Sequence, residues 1–209
     1  MTTSTVTPTE VRSSHLRTFA LGPGRVALVP EEAVLLAGDA VTVSVRVGAG
    51  AALEIVEPGG TVAYAMRGQS ARWDVLIEVE DGGSLVWHGE PFVVAEGAEV
   101  ARRLTVELSD AASLSLRETL VLGRHGEGPG HLLNRTDVLR DGRPVLVEEL
   151  DAAVGLGGHR VLDQLLCVSH PPTDDVMLLD SGDHLHRWLG AASHLSPLSR
   201  VTSTPPHHA

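Results

Sequence analysis

The sequence of 209 residues has few aromatic residues, a single cysteine and no long apolar run. Aromatic residues make up only 3% of the chain, so Val, Leu and Ala must fill the core. Cys167 has no second cysteine to pair with, which fits a reducing compartment. No stretch approaches the roughly 18 apolar residues that a membrane helix needs, and no apolar run near the start indicates a signal peptide. We therefore expect a cytoplasmic protein without a membrane partner.

Positive charge is also scarce in this chain. It carries 27 acidic and 16 basic residues, for a formal net charge of -11 with its 11 histidines counted as neutral. Nucleic-acid-binding proteins usually present a basic surface, so this balance argues against a nucleic-acid partner. The excess of carboxylates favours basic protein partners or cations instead.

Alternation of apolar and polar residues is the main pattern that is present. The segment Val41–Val47 (VTVSVRV) has the period of two that is typical of a half-buried strand. The Thr/Ser-rich residues 1–14 are predicted to be disordered, and residues 199–209 to form a flexible tail. The remainder, 15–198, is predicted to form one all-β domain with about two short helices.

A weak internal repeat of strand, small-residue turn and strand runs through the first half of the chain. Its anchoring leucines are Leu53, Leu85 and Leu114, which are 32 and 29 residues apart. One hairpin cannot bury its apolar face alone, so we expect the hairpins to stack into layered, β-helix-like sheets. The alternative is a meandering sandwich whose hairpins resemble each other by chance.

Two later segments are harder to assign from the pattern. Val161–Val168 (VLDQLLCV) is an apolar run that fits either a strand or a short helix. A helix is predicted from Ser181 to Ala192, because Leu185, Trp188 and Leu189 lie on one face at i, i+3, i+4 spacing.

A glycine-spaced polar loop, GRHGEG at 123–128, is followed by the turn RDGRP at 140–144. The loop lacks the Lys-Ser/Thr ending of a phosphate-binding loop, so a nucleotide site is not predicted. If Leu132–Leu139 runs antiparallel to Thr119–Leu122, the loop and the turn lie at opposite ends of that strand pair. We predict structural turns at Gly38, Asp39, Gly123, Gly126, Asp141 and Gly142.

The charged residues of these turns are candidates for partner contacts, because binding residues concentrate on loops held by a rigid scaffold. The candidates are Arg124, His125, Glu127, Arg140 and Arg143, with Trp188 on the predicted helix. In the alternative interpretation, the arginines pair only with carboxylates of the protein's own surface, such as Glu118, Glu148 or Glu149.

Four residues have spacings that resemble a metal site. Cys167, His170, His184 and His186 could form a Cys-His-His site for zinc or nickel. Neither a paired C-x-x-C nor an H-x-x-x-H motif is present, and Pro171-Pro172 interrupts the segment. Because the spacing of these four residues still allows a metal site, a small metal-binding protein or metalloenzyme is the alternative function. No G-x-S-x-G motif is present and no catalytic residue is predicted.

Several short motifs in order resemble the urease accessory protein family called UreD, or UreH in some bacteria. They cover roughly residues 21–150, and a looser likeness continues through GHRVL at 158–162 and Arg187-Trp188-Leu189. The sequence departs from the family in a shortened N-terminal strand region and in the segment EPGGTVAY at 57–64. The matching motifs are Gly38-Asp39 before the V-x-V-x-V strand, Gly48-Ala49, Glu90-Pro91-Phe92, Gly123-Arg124-x-Gly126-Glu127, Arg135, RDGRP at 140–144 and Glu148.

The resemblance implies a non-enzymatic scaffold made largely of β-strands with two helices. Members of this family bind the accessory protein UreF and, through it, the GTPase UreG. The assembly docks on urease apoprotein and helps to deliver nickel to its active site. No tightly bound cofactor is implied for the chain itself, although nickel is expected in transit.

Overall fold

The computed structural model describes residues 9–30, 35–171 and 176–200. Strands dominate these residues, with one four-residue α-helix, α1 (Ala152–Gly155), and two 3-10 helices, Ser193–Leu195 and Pro197–Arg200. The strands are β1 Glu10–Ser13, β2 Leu16–Gly22, β3 Arg25–Pro30, β4 Ala40–Val47, β5 Ala52–Val56, β6 Thr61–Ala63, β7 Ala71–Val79, β8 Ser84–His88, β9 Phe92–Val94, β10 Glu99–Leu108, β11 Ser113–Leu122, β12 His131–Arg140, β13 Arg143–Asp151, β14 Val161–Val168, β15 Met177–Leu178 and β16 His184–Gly190.

Two sheets face each other and form a β-solenoid of about four turns. The first sheet has six strands in the order β1-β4-β7-β10-β12-β13. The second has ten strands, of which eight follow the order β15-β16-β14-β11-β8-β5-β3-β2, while β6 and β9 lie beside this path. The central pairings β4–β7, β7–β10 and β10–β12 are parallel, as are β5–β8 and β8–β11. Antiparallel strands flank them on both sides.

The repeat found in the sequence corresponds to the coils of the solenoid. Leu53 and Leu114 are both register partners of Leu85, so the three leucines form a ladder through the second sheet. All three are at most 3% exposed. The prediction of a mainly β fold with stacked, layered sheets is therefore confirmed. The structure refines the repeat unit, because its two strands lie in different sheets and are joined at a corner of the coil.

One apolar core fills the space between the sheets and includes residues from Leu16 to Leu185. It consists mainly of Val and Leu from the inward rows of the strands, with Trp73, Trp87 and Phe92 as its aromatic members. The Trp73 and Phe92 rings meet edge to face with their centroids 5.5 Å apart. No helix in the described part of the chain is both long and apolar enough to cross a membrane.

The ends of the chain differ in part from the prediction. Residues 1–14 were predicted to be disordered, but Glu10–Ser13 form β1, which pairs with the edge strand β4. Val11 packs against the core, and this burial explains why the segment is ordered. Ser199, predicted to begin a flexible tail, lies in the 3-10 helix Pro197–Arg200. The other parts of these two predictions, residues 1–8 and 201–209, lie outside the described residues.

The predicted helix between Ser181 and Ala192 is wrong. Residues 184–190 form β16, which pairs antiparallel with β14 across seven residue pairs, so tertiary pairing outweighs the apparent helical spacing. The ambiguous run Val161–Val168 is β14 itself and is buried along its whole length. The expected antiparallel pairing of Leu132–Leu139 with Thr119–Leu122 is also wrong, because β12 lies in the first sheet and β11 in the second.

Candidate functional site

A row of polar side chains lies inside the solenoid, where the apolar core would otherwise continue. Arg102 of β10 contacts the Glu118 carboxylate of β11 at 2.5 Å and donates to Asn134 Oδ1 of β12 at 2.9 Å. These side chains point inward because they share the alternation of their apolar neighbours, with Glu118 in phase with Leu116 and Leu120. The row therefore joins the two sheets by charged groups.

The network continues along the second sheet to its far strands. Gln164 of β14 donates to Glu118 at 3.1 Å and accepts from Arg187 of β16 at 2.7 Å. Arg187 in turn makes a two-pronged contact with Glu148 of β13, at 2.8 and 2.6 Å. Since Glu148 belongs to the first sheet, the chain of hydrogen bonds crosses between the sheets twice.

A second buried ion pair lies on the other face of the second sheet. The Arg117 guanidinium donates to both oxygens of Asp163, at 3.0 and 2.8 Å, and Thr119 donates to the same carboxylate at 3.0 Å. Asp163 is completely buried. Three hydrogen bonds to one carboxylate are the arrangement that a buried charge requires.

A small cavity of about 40 Å³ adjoins the polar row. Glu57, Trp87, Arg102 and Glu118 contribute to its lining, and a space of this size holds a few water molecules. The Glu57 carboxylate accepts hydrogen bonds from Trp87 Nε1 at 2.8 Å and from the Glu90 backbone N–H at 2.9 Å. Burial raises the pKa of Glu57, and these hydrogen bonds oppose that rise only in part.

The glycine-spaced loop at 123–130 is held tightly against the solenoid. The backbone N–H groups of Gly123 and Gly130 both donate to the Val94 carbonyl, at 2.7 and 3.3 Å. A Cβ at Gly130 would lie 2.3 Å from the Ala95 carbonyl oxygen. Gly123 and Gly126 both have positive φ, as do Gly38 and Gly142 in other turns. Glycine is therefore required at 130 because the backbone of Ala95 approaches too closely for a Cβ, and it is favoured at 123 and 126 because of their positive φ.

Arg124 and Glu127 pair with each other on this loop. The guanidinium donates to Glu127 Oε1, and it also lies over the Tyr64 ring, 6.0 Å from the ring centroid. The hydrogen bond from Arg124 lowers the pKa of Glu127 to about 2. His125 is exposed beside this pair. The loop therefore presents an ordered charged surface that includes the ring of the chain's one tyrosine.

The Glu127 shift predicts a dependence of the loop on pH. The folded-state pKa lies below the ordinary value of 4.5, so the ion pair stabilises the fold fully above about pH 4.5 and is lost as pH falls towards 2. We expect carboxyl-detected NMR to show a Glu127 midpoint near 2, and Arg124→Ala to move it towards the ordinary value. Arg72→Ala, which removes a remote exposed arginine, serves as the control. An unchanged midpoint in Arg124→Ala would show that the pair is not formed in solution.

The second predicted turn has a different environment. Asp141 and Gly142 form this turn with positive φ. The side chain of Arg140, which precedes the turn, is only 20% exposed. Arg140 Nη2 contacts Asp183 Oδ1 at 2.7 Å, and Asp183 is 5% exposed. Arg140 thus clamps the first sheet to the segment before β16. Arg143 is exposed and forms no ion pair with any of the described residues.

These placements separate the predicted partner-contact residues into two surfaces. Arg124, His125 and Glu127 precede β12 and form the loop surface, while Arg143 follows β12 and marks the turn surface. A strand of ten residues separates them by roughly 30 Å. Trp188 lies on β16, where its ring covers Gly190 closely enough to exclude any Cβ there. Trp188 pairs with Asp163 of β14 and lies two residues before Gly190, whose carbonyl accepts from the Arg160 backbone N–H, so Trp188 lies toward the loop-surface end of β16.

The four residues with metal-like spacing come near one another without forming a recognisable metal centre. Cys167 and His184 are register partners on β14 and β16, and the His184 and His186 ring centroids are 5.8 Å apart. Within the described ranges, no group of three or more His, Cys, Asp or Glu side chains is arranged to hold a metal ion. Burial raises the pKa of the Cys167 thiol and lowers the pKa of His170, His184 and His186. The Cys-His-His site predicted from the spacing is therefore not supported.

The interior polar row was not identified from the sequence, although a signal for it exists. Arg102 occupies the inward phase of β10 between Val100 and Leu104. Glu118 and Gln164 occupy the same phase in β11 and β14. A charged residue in the apolar row of an alternating strand indicates a buried polar contact, because an unpaired charge there is too costly.

A parallel β-solenoid with a filled interior and ordered charged loops defines a class of proteins that work through extended surfaces. The sequence model of the UreD urease accessory protein family matches residues 17–202. The chain belongs to this family of non-catalytic urease accessory proteins.

Individual relatives agree with this assignment. Urease accessory protein UreD 1 of Streptomyces griseus is 50% identical over 127 residues, covering 61% of this chain and 50% of the relative. UreD of Streptomyces avermitilis is 40% identical over 164 residues, with coverages of 73% and 65%. UreD 2 of Saccharopolyspora erythraea is 33% identical over 203 residues, with coverages of 88% and 71%. The chain thus spans between half and about seven tenths of the length of these relatives.

Proposed function

We propose that this chain is a cytoplasmic scaffold that bridges urease apoprotein and a UreF-type accessory protein. A UreG-type GTPase joins through the UreF-type protein, and the assembly inserts nickel into the urease active site. The observation that carries the proposal is a urease accessory solenoid that holds two charged surfaces at opposite ends of one strand, β12. No nucleic acid or membrane takes part in it.

The rigidity of the solenoid supports a bridging role. The loop surface is fixed by backbone hydrogen bonds to Val94 and by the Arg124–Glu127 pair. The turn surface is fixed by the Arg140–Asp183 contact. Both surfaces are therefore preorganised, and binding does not have to order them first. Arginine suits such surfaces because its planar fork can form two hydrogen bonds with a partner carboxylate.

Nickel is cargo in this proposal, and no tightly bound cofactor is assigned to the chain. Arginines neutralise the carboxylates of Glu118, Asp163 and Glu148, which therefore do not present free charge to a cation. Glu57 differs, because its carboxylate beside the interior cavity is held by two neutral N–H groups. We therefore assign the Glu57 carboxylate as the interior group that contacts nickel in transit.

The scaffold role predicts that surface arginines can be removed without loss of folding. We expect Arg124→Ala combined with Arg143→Ala to keep a melting temperature close to that of the wild type. Loss of two interface arginines should reduce co-purification of the UreF-type partner by about tenfold or more. Urease activity in cells that express the whole operon should fall in parallel. Arg140 is kept, since its removal would leave Asp183 buried without its cation.

A matched control replaces two exposed arginines elsewhere, Arg25→Ala with Arg72→Ala, whose partners are Glu54 and Asp74. This variant should bind and activate at the wild-type level. Wild-type activation by the folded Arg124/Arg143 double variant would contradict the assignment of these surfaces. Failure of the wild-type chain to bind any urease maturation protein would contradict the scaffold role itself.

A further inference from the structure

A pocket of about 280 Å³ lies beside the loop surface and is lined by basic side chains. Arg124, His125, Arg160 and His194 line it, together with Ser193. None of its lining residues is acidic. A cationic pocket is unusual on a chain whose net charge is -11, so its composition indicates a ligand of negative charge.

Arg160 is the member of this group whose charge has no counterpart. Four arginines among the described residues are partly buried, and three of them have a carboxylate within 2.8 Å: Arg102 with Glu118, Arg117 with Asp163, and Arg140 with Asp183. Arg160 forms no ion pair with any residue that the structure describes. A partly buried guanidinium without a carboxylate has lost part of its hydration and keeps its full charge, which an incoming anion can balance.

The backbone holds Arg160 in place while leaving its charge unneutralised. Its Nε donates to the Leu122 carbonyl at 2.9 Å, and Nη2 donates to the Arg124 carbonyl at 3.2 Å. Gly123 makes room for this contact, since a Cβ there would lie 2.3 Å from Arg160 Nη2. The described residues offer no acceptor to Nη1. The guanidinium is therefore fixed by two neutral acceptors and retains donors for a third.

We propose that this pocket, which we name the Arg160 pocket, anchors an acidic side chain of a protein partner in the urease maturation complex. The proposal has two parts: that the pocket binds a carboxylate, and that this carboxylate belongs to a urease maturation protein. The second part, the partner half, rests on the proposed function. A single carboxylate matches the net charge available, because Glu127 balances the charge of Arg124, although Arg124 keeps other N–H groups, whereas no carboxylate balances Arg160. A phosphate group carries nearly two charges, more than the one unpaired guanidinium balances.

The chemistry of the pocket can be tested without any partner protein. The probes are N-acetyl-glutamate methylamide, its uncharged glutamine counterpart, and inorganic phosphate, each titrated into the labelled full chain and followed by NMR. We expect the glutamate probe alone to give saturable shifts at Arg124, His125, Arg160 and His194. Equal shifts with the glutamine probe, stronger shifts with phosphate, or no shifts with any probe would each overturn the proposal.

Two variants separate occupation of the pocket from damage to the loop. Ser193→Asp places a carboxylate in the pocket from within and should abolish the response to the glutamate probe, while the Leu122 and Arg124 contacts remain. Ser44→Asp adds the same charge at a remote exposed serine and should leave the response unchanged. Arg160→Gln should weaken probe binding about tenfold, as expected for loss of one charge-assisted hydrogen bond. Arg160→Lys should restore part of it.

Co-purification with the UreF-type protein and urease apoprotein tests the partner half. Ser193→Asp is expected to lower recovery of one of the two, whereas Ser44→Asp is not. Unchanged recovery of both with Ser193→Asp would overturn the partner assignment even if the glutamate probe binds. If the wild-type chain recovers neither protein, the proposed function and this partner assignment fail together, and the probe titration still decides whether the pocket binds carboxylates.

Discussion

Replacing Asp163 with Ala is expected to destabilise the fold by about 3–5 kcal/mol, because it leaves the largely buried Arg117 without its counter-charge. Asp163 is completely buried and accepts three hydrogen bonds, two from Arg117 and one from Thr119. The Arg117 side chain is 16% exposed and has little access to replacement water. Chemical denaturation followed by circular dichroism measures the change.

Further variants keep this prediction testable if Asp163→Ala does not fold. Asp163→Asn retains an acceptor for Thr119 and should be destabilised less. Arg117→Ala added to Asp163→Ala should cost little more than the single change, since both remove one interaction. Glu78→Ala, which removes an exposed partner of Arg46, should cost roughly 0–1 kcal/mol. Equal costs for Asp163→Ala and Glu78→Ala would show that the buried Arg117–Asp163 pair does not stabilise the second sheet.

The pattern of the sequence predicted the faces of the strands better than their partners. Period-two alternation identifies which side chains point inward, and the ladder of Leu53, Leu85 and Leu114 follows from it directly. Alternation carries no information about which neighbouring strand supplies the hydrogen bonds. For this reason, the partner considered for Leu132–Leu139 was Thr119–Leu122, which lies in the other sheet, and each coil of the solenoid was interpreted as a hairpin.

The predicted helix shows how a short segment can fit two periods at once. Leu185, Trp188 and Leu189 match helical spacing, yet residues 184–190 also alternate as a strand. The neighbouring β14 provides seven register partners, and pairing with a buried strand decides between the two periods. A local pattern of seven residues could not reveal that partner.

Partner choice among charged residues was the least predictable feature of the candidate site. Arg140 contacts Asp183, which is 43 residues further along the chain, and this contact turns a predicted surface arginine into a clamp between the sheets. The Arg160 pocket likewise joins the end of β11, the start of β14 and the segment after β16. Only the folded coil brings these segments together, so their charges could not be paired by spacing in the sequence.

The leucine ladder gives the second large effect that we expect. Leu85→Ala should destabilise the fold by about 2–5 kcal/mol, because Leu85 is completely buried between Leu53 and Leu114 and its truncation leaves a cavity that neighbouring coils cannot close. In a solenoid each coil contacts only its neighbours, so the loss should also weaken the cooperativity between the coils of β5 and β11, seen as a lower denaturant slope.

Leu85→Met, which nearly conserves volume, should cost less than about 1.5 kcal/mol. Leu76→Ala, at a position 45% exposed on the outer face of β7, should change stability by about 0.5 kcal/mol or less. If Leu85→Ala and Leu76→Ala lowered the free energy of unfolding by the same small amount, the stacked coils would not share one continuous core that stabilises the fold.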